Sequence, residues 1–340
     1  MNNRAAPALL DSGDGRTSLV IITGASRGIG RAIALAISDD VAREGGVGVN
    51  VKTDETSAAE LLSAPLHMVL ISRSEYLLRE TAQLVEERGH GLITTSCHQM
   101  DLSDLATLDE NFKVVLESLS GAAQYNSCWL INNAGSLGPL GKVSIYSGAS
   151  TMKELRQAVD FNLTSSIWIS SQFTQTFLNP LAATDDNTPQ SPFVRVVNIT
   201  SLCGIEPFST MSIYCAAKAG REMFHRVLAL EHSIDNTTES QQFGSNHKQK
   251  QIFKTLNYAP GPCDTEMTDI LADSSALDEN LRKYFVTSKR EKSLVKVEDT
   301  AKKLVQIMKS DEFESGTHID YFDDNIADDP ISATTHDTRV

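Results

Sequence analysis

The chain predicts an α/β fold: a doubly wound parallel sheet of about seven strands, carried in a single domain with helices on both faces. Three observations predict it. Short apolar runs without polar alternation recur along the 340 residues, as strands buried on both faces do. Helix-periodic segments separate them. A glycine cluster, Gly24-Ala25-Ser26-Arg27-Gly28-Ile29-Gly30, stands where the first apolar run gives way to the first helical one.

The elements follow in order. Leu19 to Thr23 is a strand, and Gly28 to Ile37 opens a helix. His67 to Ser72 leads into a helix over Tyr76 to Arg88, and Leu92 to His98 into one over Leu105 to Leu119. Cys128 to Asn132 is the fourth strand, before a long helix over Met152 to Leu178. Val194 to Thr200 precedes a helix over Ile213 to Glu231. Ile252 to Tyr258 is the sixth strand, a helix covers Thr300 to Lys309, and Thr317 to Tyr321 is a seventh strand. Polar stretches at 39–65, 182–192 and 235–251 fall between a helix and the next strand, and read as surface insertions away from the strand C-termini, where ligands bind. Residues 1–17 read as a disordered extension, 18–322 as the domain, and 323–340, with Asp323, Asp324, Asp328 and Asp329, as a solvated acidic tail.

Composition excludes several function classes. A net charge of −14 disfavours nucleic acid and membrane surfaces as partners, since both select a basic face. No apolar run reaches the ~20 residues of a membrane span, and Met1 to Thr17 lacks the apolar core of a signal peptide. Five cysteines (Cys97, Cys128, Cys203, Cys215, Cys263) form no C-x-x-C pair, so neither a disulfide framework nor a metal site is expected. A reducing, cytoplasmic setting fits, in which the N-x-S/T triplets at Asn162, Asn198 and Asn236 carry no meaning.

The glycine cluster is a dinucleotide cradle. Gly24 allows a tight turn, Gly28 lets a pyrophosphate approach the backbone, Gly30 permits close packing, and free amides at the helix start face the phosphates. The second strand ends Ser72-Arg73, with no carboxylate to bind a ribose 2′-hydroxyl. Arg73 and Arg27 suit a 2′-phosphate, so the expected cofactor is NADPH. Asp101, after the third strand, either accepts from an adenine amino group or, like Ser103, caps the next helix.

Tyr214 and Lys218 stand four apart, on one helical face. A carbonyl that receives hydride needs a proton. Tyr214 supplies it, and the Lys218 ammonium is expected to lower its pKa. Ser201, just past a strand end, is a donor to the developing oxyanion. Asn162 is a poor residue for a helix interior and holds a relay water between Lys218 and solvent, or is simply an exposed helix residue.

At these residues, together with Asn132-Asn133-Ala134-Gly135 and Pro260-Gly261-Pro262, the chain resembles the short-chain dehydrogenase/reductase family over about residues 18 to 322, a Rossmann-type fold. Leu130 to Gly138, Asn198 to Cys203, Leu256 to Pro262 and Gly316 to Tyr321 are similar to the members that reduce pterin side-chain carbonyls with NADPH. The resemblance implies Ser201, Tyr214 and Lys218 as catalytic, a set that Asn162 joins through its relay reading, and Ser201, Tyr214 and Asp320 as substrate-binding, with Asp320 anchoring the pterin. The implied cofactor contacts are Gly24, Ser26, Arg27, Gly28, Ile29, Gly30, Ser72, Arg73, Asp101, Leu102, Asn133, Ala134, Gly135, Tyr214, Lys218, Pro260, Gly261 and Thr265. A homodimer through the helices around Asn162 and Tyr214 is implied too. The alternatives are a reductase of diketones, quinones or steroids, for which Asp320 has no pterin role, and a cofactor sensor, against which the intact Ser/Tyr/Lys set argues.

Overall fold

The first strand, β1 (Thr17–Thr23), reads Thr-Ser-Leu-Val-Ile-Ile-Thr, and all seven of its residues are buried. Such β-branched runs are stable only with both faces covered. The computed structural model, which describes residues 17–45, 65–119, 124–178, 192–233 and 251–323, covers them. Its strands are β1, β2 (Leu66–Ser72), β3 (Ile93–Gln99), β4 (Tyr125–Asn132), β5 (Phe193–Ile199), β6 (Phe253–Ala259) and β7 (His318–Asp320). They form one parallel sheet in the order β3-β2-β1-β4-β5-β6-β7. The order reverses between β1 and β4, which opens a crevice at their C-terminal ends.

Helices α1 (Gly28–Gly45), α2 (Glu75–Arg88) and α9 (Val297–Ser310) cover one face, packed on Val20, Ile22, Met68, Leu70, Ile131 and Val197. Helices α3 (Leu105–Ser118), α5 (Ser165–Phe177) and α6 (Ser212–Glu231) cover the other, on Leu19, Ile21, Val69, Cys128, Leu130 and Val196. Each such aliphatic side chain, removed from water, contributes about 1.5–3 kcal/mol. Helix α4 (Gly148–Val159) runs into α5 through a π-helical turn at Asp160–Thr164. Helices α7 (Glu266–Asp273) and α8 (Glu279–Glu291) sit above the C-terminal edge, over a small cluster with Leu137, Cys203, Met211, Tyr214, Leu271 and Phe285.

A row of polar side chains crosses the α5/α6 face in register. Asn132 of β4 aligns with Asn198 of β5, Asn198 with Asn257 of β6, and Asn257 with His318 of β7. The three asparagines are buried. At the opposite end of the sheet, buried Arg195 of β5 is held by Asp311 at 2.8 and 2.7 Å.

Several boundaries differ from the sequence reading. The first insertion does not begin at Asp39: α1 continues to Gly45, because Val41 is buried and Asp40 takes Lys309 of α9 at 3.1 Å. The remaining insertion residues up to 64, like 1–16, 179–191, 234–250 and 324–340, lie outside the described residues, so the extension, most of each insertion and the acidic tail beyond Asp323 are not described. The long helix around Asn162 is divided by the π turn. Neither Asp101 nor Ser103 caps α3; Asp104 does, its Oδ1 accepting from the Ala106 N–H at 3.2 Å.

Candidate active site

The strand ends at the crevice are fastened to one another before any ligand enters. The Thr23 hydroxyl accepts from the N–H groups of Asn133 and Ala134, both at 3.1 Å. The Asn133 side chain returns hydrogen bonds to Thr23 O at 3.0 Å and Gly24 O at 3.2 Å. This fixes the glycine loop against the end of β4.

Each cradle glycine has a separate physical reason. Gly24 has φ +68°, in the left-handed region, where its N–H reaches Ile71 O at 2.7 Å. Gly30 is helical, yet a Cβ there would lie 2.4 Å from Gly24 O and 2.5 Å from Asn133 Nδ2. Gly28 has φ +55° and faces open space, the nearest atom to a Cβ being Thr265 Cγ2 at 3.9 Å. That open face, at a helix N-terminus whose first amides have no intrahelical acceptor, fits a phosphate. Thr265, the N-cap of α7, is thereby brought to the cradle from the far side of the sheet, through Pro260 and Gly261 at φ +75°. Ser26 is buried in the loop and Ile29 half-buried behind it.

The two arginines read as 2′-phosphate ligands have different neighbours. Arg27 is exposed and ion-paired with Glu266 of α7, an acid that sequence reasoning did not connect to the loop. Arg73 is exposed, its guanidinium 6.0 Å from the Phe161 ring centre. Ser72 is buried and its hydroxyl accepts from the Ser74 N–H at 3.2 Å. Asp101 accepts from the Ser103 N–H and hydroxyl at 2.9 and 2.7 Å; burial opposes its charge, but these bonds and the Arg73 charge hold its pKa below the usual carboxylate range. The Leu102 side chain belongs to the core.

Ser201, Tyr214 and Lys218 come together beyond the end of β5. Ser201 is extended and caps a 3-10 turn, accepting from the Cys203 N–H at 3.2 Å. Tyr214 and Lys218 are both buried on α6, with Lys218 Nζ 5.6 Å from the Tyr214 ring centre and donating to Ile199 O at 2.7 Å. Asn162 is fully buried, which settles its reading against an exposed helix residue. Its Oδ1 accepts from the Ser136 N–H at 2.8 Å and its Nδ2 donates to Ala158 O at 2.9 Å, inside the π turn. A Cβ on Gly135 would stand 3.3 Å from Asn162 Oδ1 and 3.7 Å from Lys218 Nζ, so this glycine keeps open the space between them.

The electrostatics depart from the simple Tyr/Lys picture. Burial raises the Tyr214 pKa above that of free tyrosine, and Cys203 adds to the rise. The groups that oppose it are Arg221 and Ser201 rather than Lys218. Lys218 is itself pushed well below the usual ammonium range, first by burial and then by Arg221. The spacing of Tyr214 and Lys218 is visible in the sequence; the depth of their burial is not.

Asp320 ends β7 at the same edge of the sheet. Its Oδ1 accepts from the Phe322 N–H at 3.0 Å, while Asp323 folds back to accept from the Asp320 N–H at 2.8 Å. Among the described residues no cation pairs with the Asp320 carboxylate. Phe322 is exposed beside Gly261, where a Cβ would lie 3.4 Å from its ring.

The model of the family described as short chain dehydrogenase matches residues 54–275. The chain belongs to that family. Among similar proteins, the sepiapterin reductase of Bos taurus is 32% identical over 316 residues, covering 92% of this chain and 97% of its own. A benzil reductase ((S)-benzoin forming) of Bacillus subtilis is 29% identical over 260 residues, 76% of this chain and 80% of its own. The crystal structure of a 3-oxoacyl-[acyl-carrier protein] reductase from Brucella melitensis, solved with NAD, superposes with a TM-score of 0.58 at 19% identity, covering 89% of this chain and 94% of that one. That likeness concerns the fold. In this short-chain dehydrogenase the described residues contain no helix long and apolar enough to cross a membrane, and no cluster of metal-ligating side chains.

Proposed function

We propose that the protein is an NADPH-dependent carbonyl reductase of the sepiapterin reductase type, reducing the side-chain carbonyl of a pterin on the route to tetrahydrobiopterin. The observation that carries the chemistry is the convergence of Ser201, Tyr214 and Lys218 beside a glycine cradle whose open face lies at Gly28. A nicotinamide cofactor, when bound, supplies the hydride. Gly24, Ser26, Gly28, Ile29 and Gly30 hold its pyrophosphate, and Arg27, Ser72 and Arg73 take a 2′-phosphate. The Arg27–Glu266 pair is exposed on both sides, and an exposed pair of this kind is weak enough for a phosphate to displace. Ser201 donates to the substrate oxygen, Tyr214 gives it the proton, and Lys218 with Asn162 holds the path by which the proton is replaced.

Asp320 supports the pterin assignment. A half-buried carboxylate with no cationic partner among the described residues suits two adjacent N–H donors of an amino-pyrimidine edge. The similarity to a benzil reductase favours a second reading, in which the same machinery reduces diketones and Asp320 does not touch substrate. We read residues 18–322 as one catalytic domain of a cytoplasmic enzyme. We also read the protein as a homodimer: Met223, Val227 and Leu230 form an exposed apolar stripe at helical spacing on α6, beside exposed Trp168 of α5.

The test is NADPH oxidation with sepiapterin, run against NADH and a simple diketone, on wild type, Tyr214→Phe and Asp320→Asn. The expected result is NADPH-selective turnover of sepiapterin, a kcat loss of about 10²–10⁴ in Tyr214→Phe with NADPH affinity retained, and a raised pterin KM in Asp320→Asn with the diketone spared. Equal effects of Asp320→Asn on both substrates would transfer the assignment to the diketone reading.

A further inference from the structure

The proton-transfer helix carries a charged residue that the Ser/Tyr/Lys scheme does not use. Arg221 follows Lys218 by three positions and Tyr214 by seven, so all three share one face of α6. Its relative exposure is 1%, and among the described residues no carboxylate lies in ion-pair range of it. All three guanidinium nitrogens are spent on neutral oxygens at the end of the sheet: Nε on Asn198 Oδ1 at 2.8 Å, Nη1 on Ala134 O at 2.9 Å, and Nη2 on Asn132 O at 2.5 Å. Below it His225 Nδ1 donates to Arg221 O at 2.7 Å and its Nε2 meets the Ser170 hydroxyl at 3.3 Å, while the Asn132 side chain donates to Ser170 Oγ at 2.7 Å. The acid next in sequence, Glu222, turns instead to His318 of β7 at 3.0 Å.

An unpaired internal cation costs several kcal/mol in desolvation, and neutral side chains can satisfy backbone oxygens without that cost. The charge therefore needs a use, and the helix supplies one. Helical side chains lean toward the N-terminus, which carries the guanidinium from residue 221 up toward Lys218 and Tyr214. The carbonyl it holds, Ala134 O, adjoins Gly135, whose Cβ position is 3.7 Å from Lys218 Nζ.

We propose that Arg221 is a positioning residue of the proton-transfer group: a fixed internal cation that holds the Asn132–Ala134 corner beneath the reacting atoms and supplies the positive charge that the Tyr214 phenolate needs once its proton has gone. The inference rests on the carbonyl-reductase reading. The groups that face Tyr214 are Lys218, Arg221 and Cys215 on its own helix, and Cys203 and Ser201 from the turn after β5. Burial and Cys203 work against the phenolate, Arg221 and Ser201 work for it, and Lys218 is itself held toward the neutral form. The role expected of Lys218 is thus shared with a group that stays charged: burial lowers the Arg221 pKa only to about 10.

The test follows alcohol oxidation with NADP, which needs the phenolate, across pH in the full-length enzyme. Three variants are compared. Arg221→Gln removes the charge and keeps donors for the carbonyls. Asn198→Asp leaves Arg221 in place and sets a carboxylate 2.8 Å from its Nε, where the Asn257 amide can turn over to donate to the new acid. Arg221→Lys keeps the charge. The expected result is an activity limb displaced upward by about one pH unit in Arg221→Gln and in Asn198→Asp, and unmoved in Arg221→Lys, with melting temperature and NADPH affinity measured alongside. Should Arg221→Gln fail to fold, Asn198→Asp carries the test by itself. A limb at the wild-type position in Asn198→Asp, or one that moves as far in Arg221→Lys as in Arg221→Gln, overturns this inference alone. Absence of any carbonyl or alcohol turnover in the wild type overturns it together with the reductase reading.

Discussion

Gly30→Ala separates packing from conformation at the cradle. Gly30 has ordinary helical dihedrals, so propensity alone favours alanine there by about 1 kcal/mol. The surroundings reverse this. The new Cβ would lie 2.4 Å from Gly24 O, 3.0 Å from Gly24 C and 2.5 Å from Asn133 Nδ2, and two of these three atoms are backbone. Relief requires the loop and the β4 end to part by most of an ångström, and that parting breaks the bonds from Asn133 to Thr23 O and Gly24 O. Overpacking costs roughly 1–3 kcal/mol and two hydrogen bonds roughly 2 kcal/mol more. Less the propensity gain, the expected loss is about 2–4 kcal/mol, or roughly 4–8 °C in Tm for a domain of this size. Gly28→Ala is the contrast. Its Cβ meets only Thr265 Cγ2 at 3.9 Å, so folding loses only the left-handed φ penalty of about 1–2 kcal/mol, while the face read as the pyrophosphate seat is filled. Urea or thermal unfolding, with NADPH titration of both variants, checks the pair. A Gly30→Ala protein as stable as wild type would refute the packing argument.

Two further outcomes concern stability. Asp311→Ala leaves Arg195 buried without its acid and is expected to cost about 3–5 kcal/mol in chemical unfolding, with kcat unchanged because the pair lies at the opposite end of the sheet from Ser201. His318 is opposed by burial, but its bond to Glu222 and that charge raise its pKa above 6.5, so its contribution is complete below the unfolded value and fades as pH rises through the folded one. The stability difference between wild type and His318→Gln should therefore be largest near about pH 5.5 and shrink toward about pH 8.5; a difference that grows with pH would contradict it.

The sheet was legible because its strands are plain apolar runs, and the seven expected strands match those described to within three residues at each end. Helix α8 was not, since Glu-Asn-Leu-Arg-Lys-Tyr-Phe-Val-Thr-Ser-Lys-Arg-Glu is mostly polar and buries only Phe285 and Ser288. Helix α7 was missed for its shortness. The tail of α1 looked polar because Asp39 and Asp40 were read as loop residues, whereas their partners, Arg88 and Lys309, are distant in sequence. The Tyr-x-x-x-Lys spacing and the glycine loop were readable as motifs. Arg221 was not: an arginine on a helix normally carries its charge to solvent, and only the fold shows that this one is turned inward. Glu266 joined the cradle rim unannounced for a similar reason, being brought to Arg27 by the return of the chain after β6.

The row formed by Asn132, Asn198, Asn257 and His318 has a bearing on assembly of the sheet. Parallel strands of Val, Ile and Leu are nearly interchangeable with themselves when displaced, so hydrophobicity alone gives little information about alignment along the strand axis. A displacement of β5 by one residue would turn Asn198 away from Arg221 and Asn257 toward the apolar α1/α9 layer, and bring Val197 or Ile199 against the guanidinium. Each stranded amide would cost roughly 1–3 kcal/mol, and the unsatisfied cation more. One transverse line of polar groups thus acts as an index mark for four strands, so that the end of the sheet where Ser201 and Asn133 stand is aligned as the chain folds.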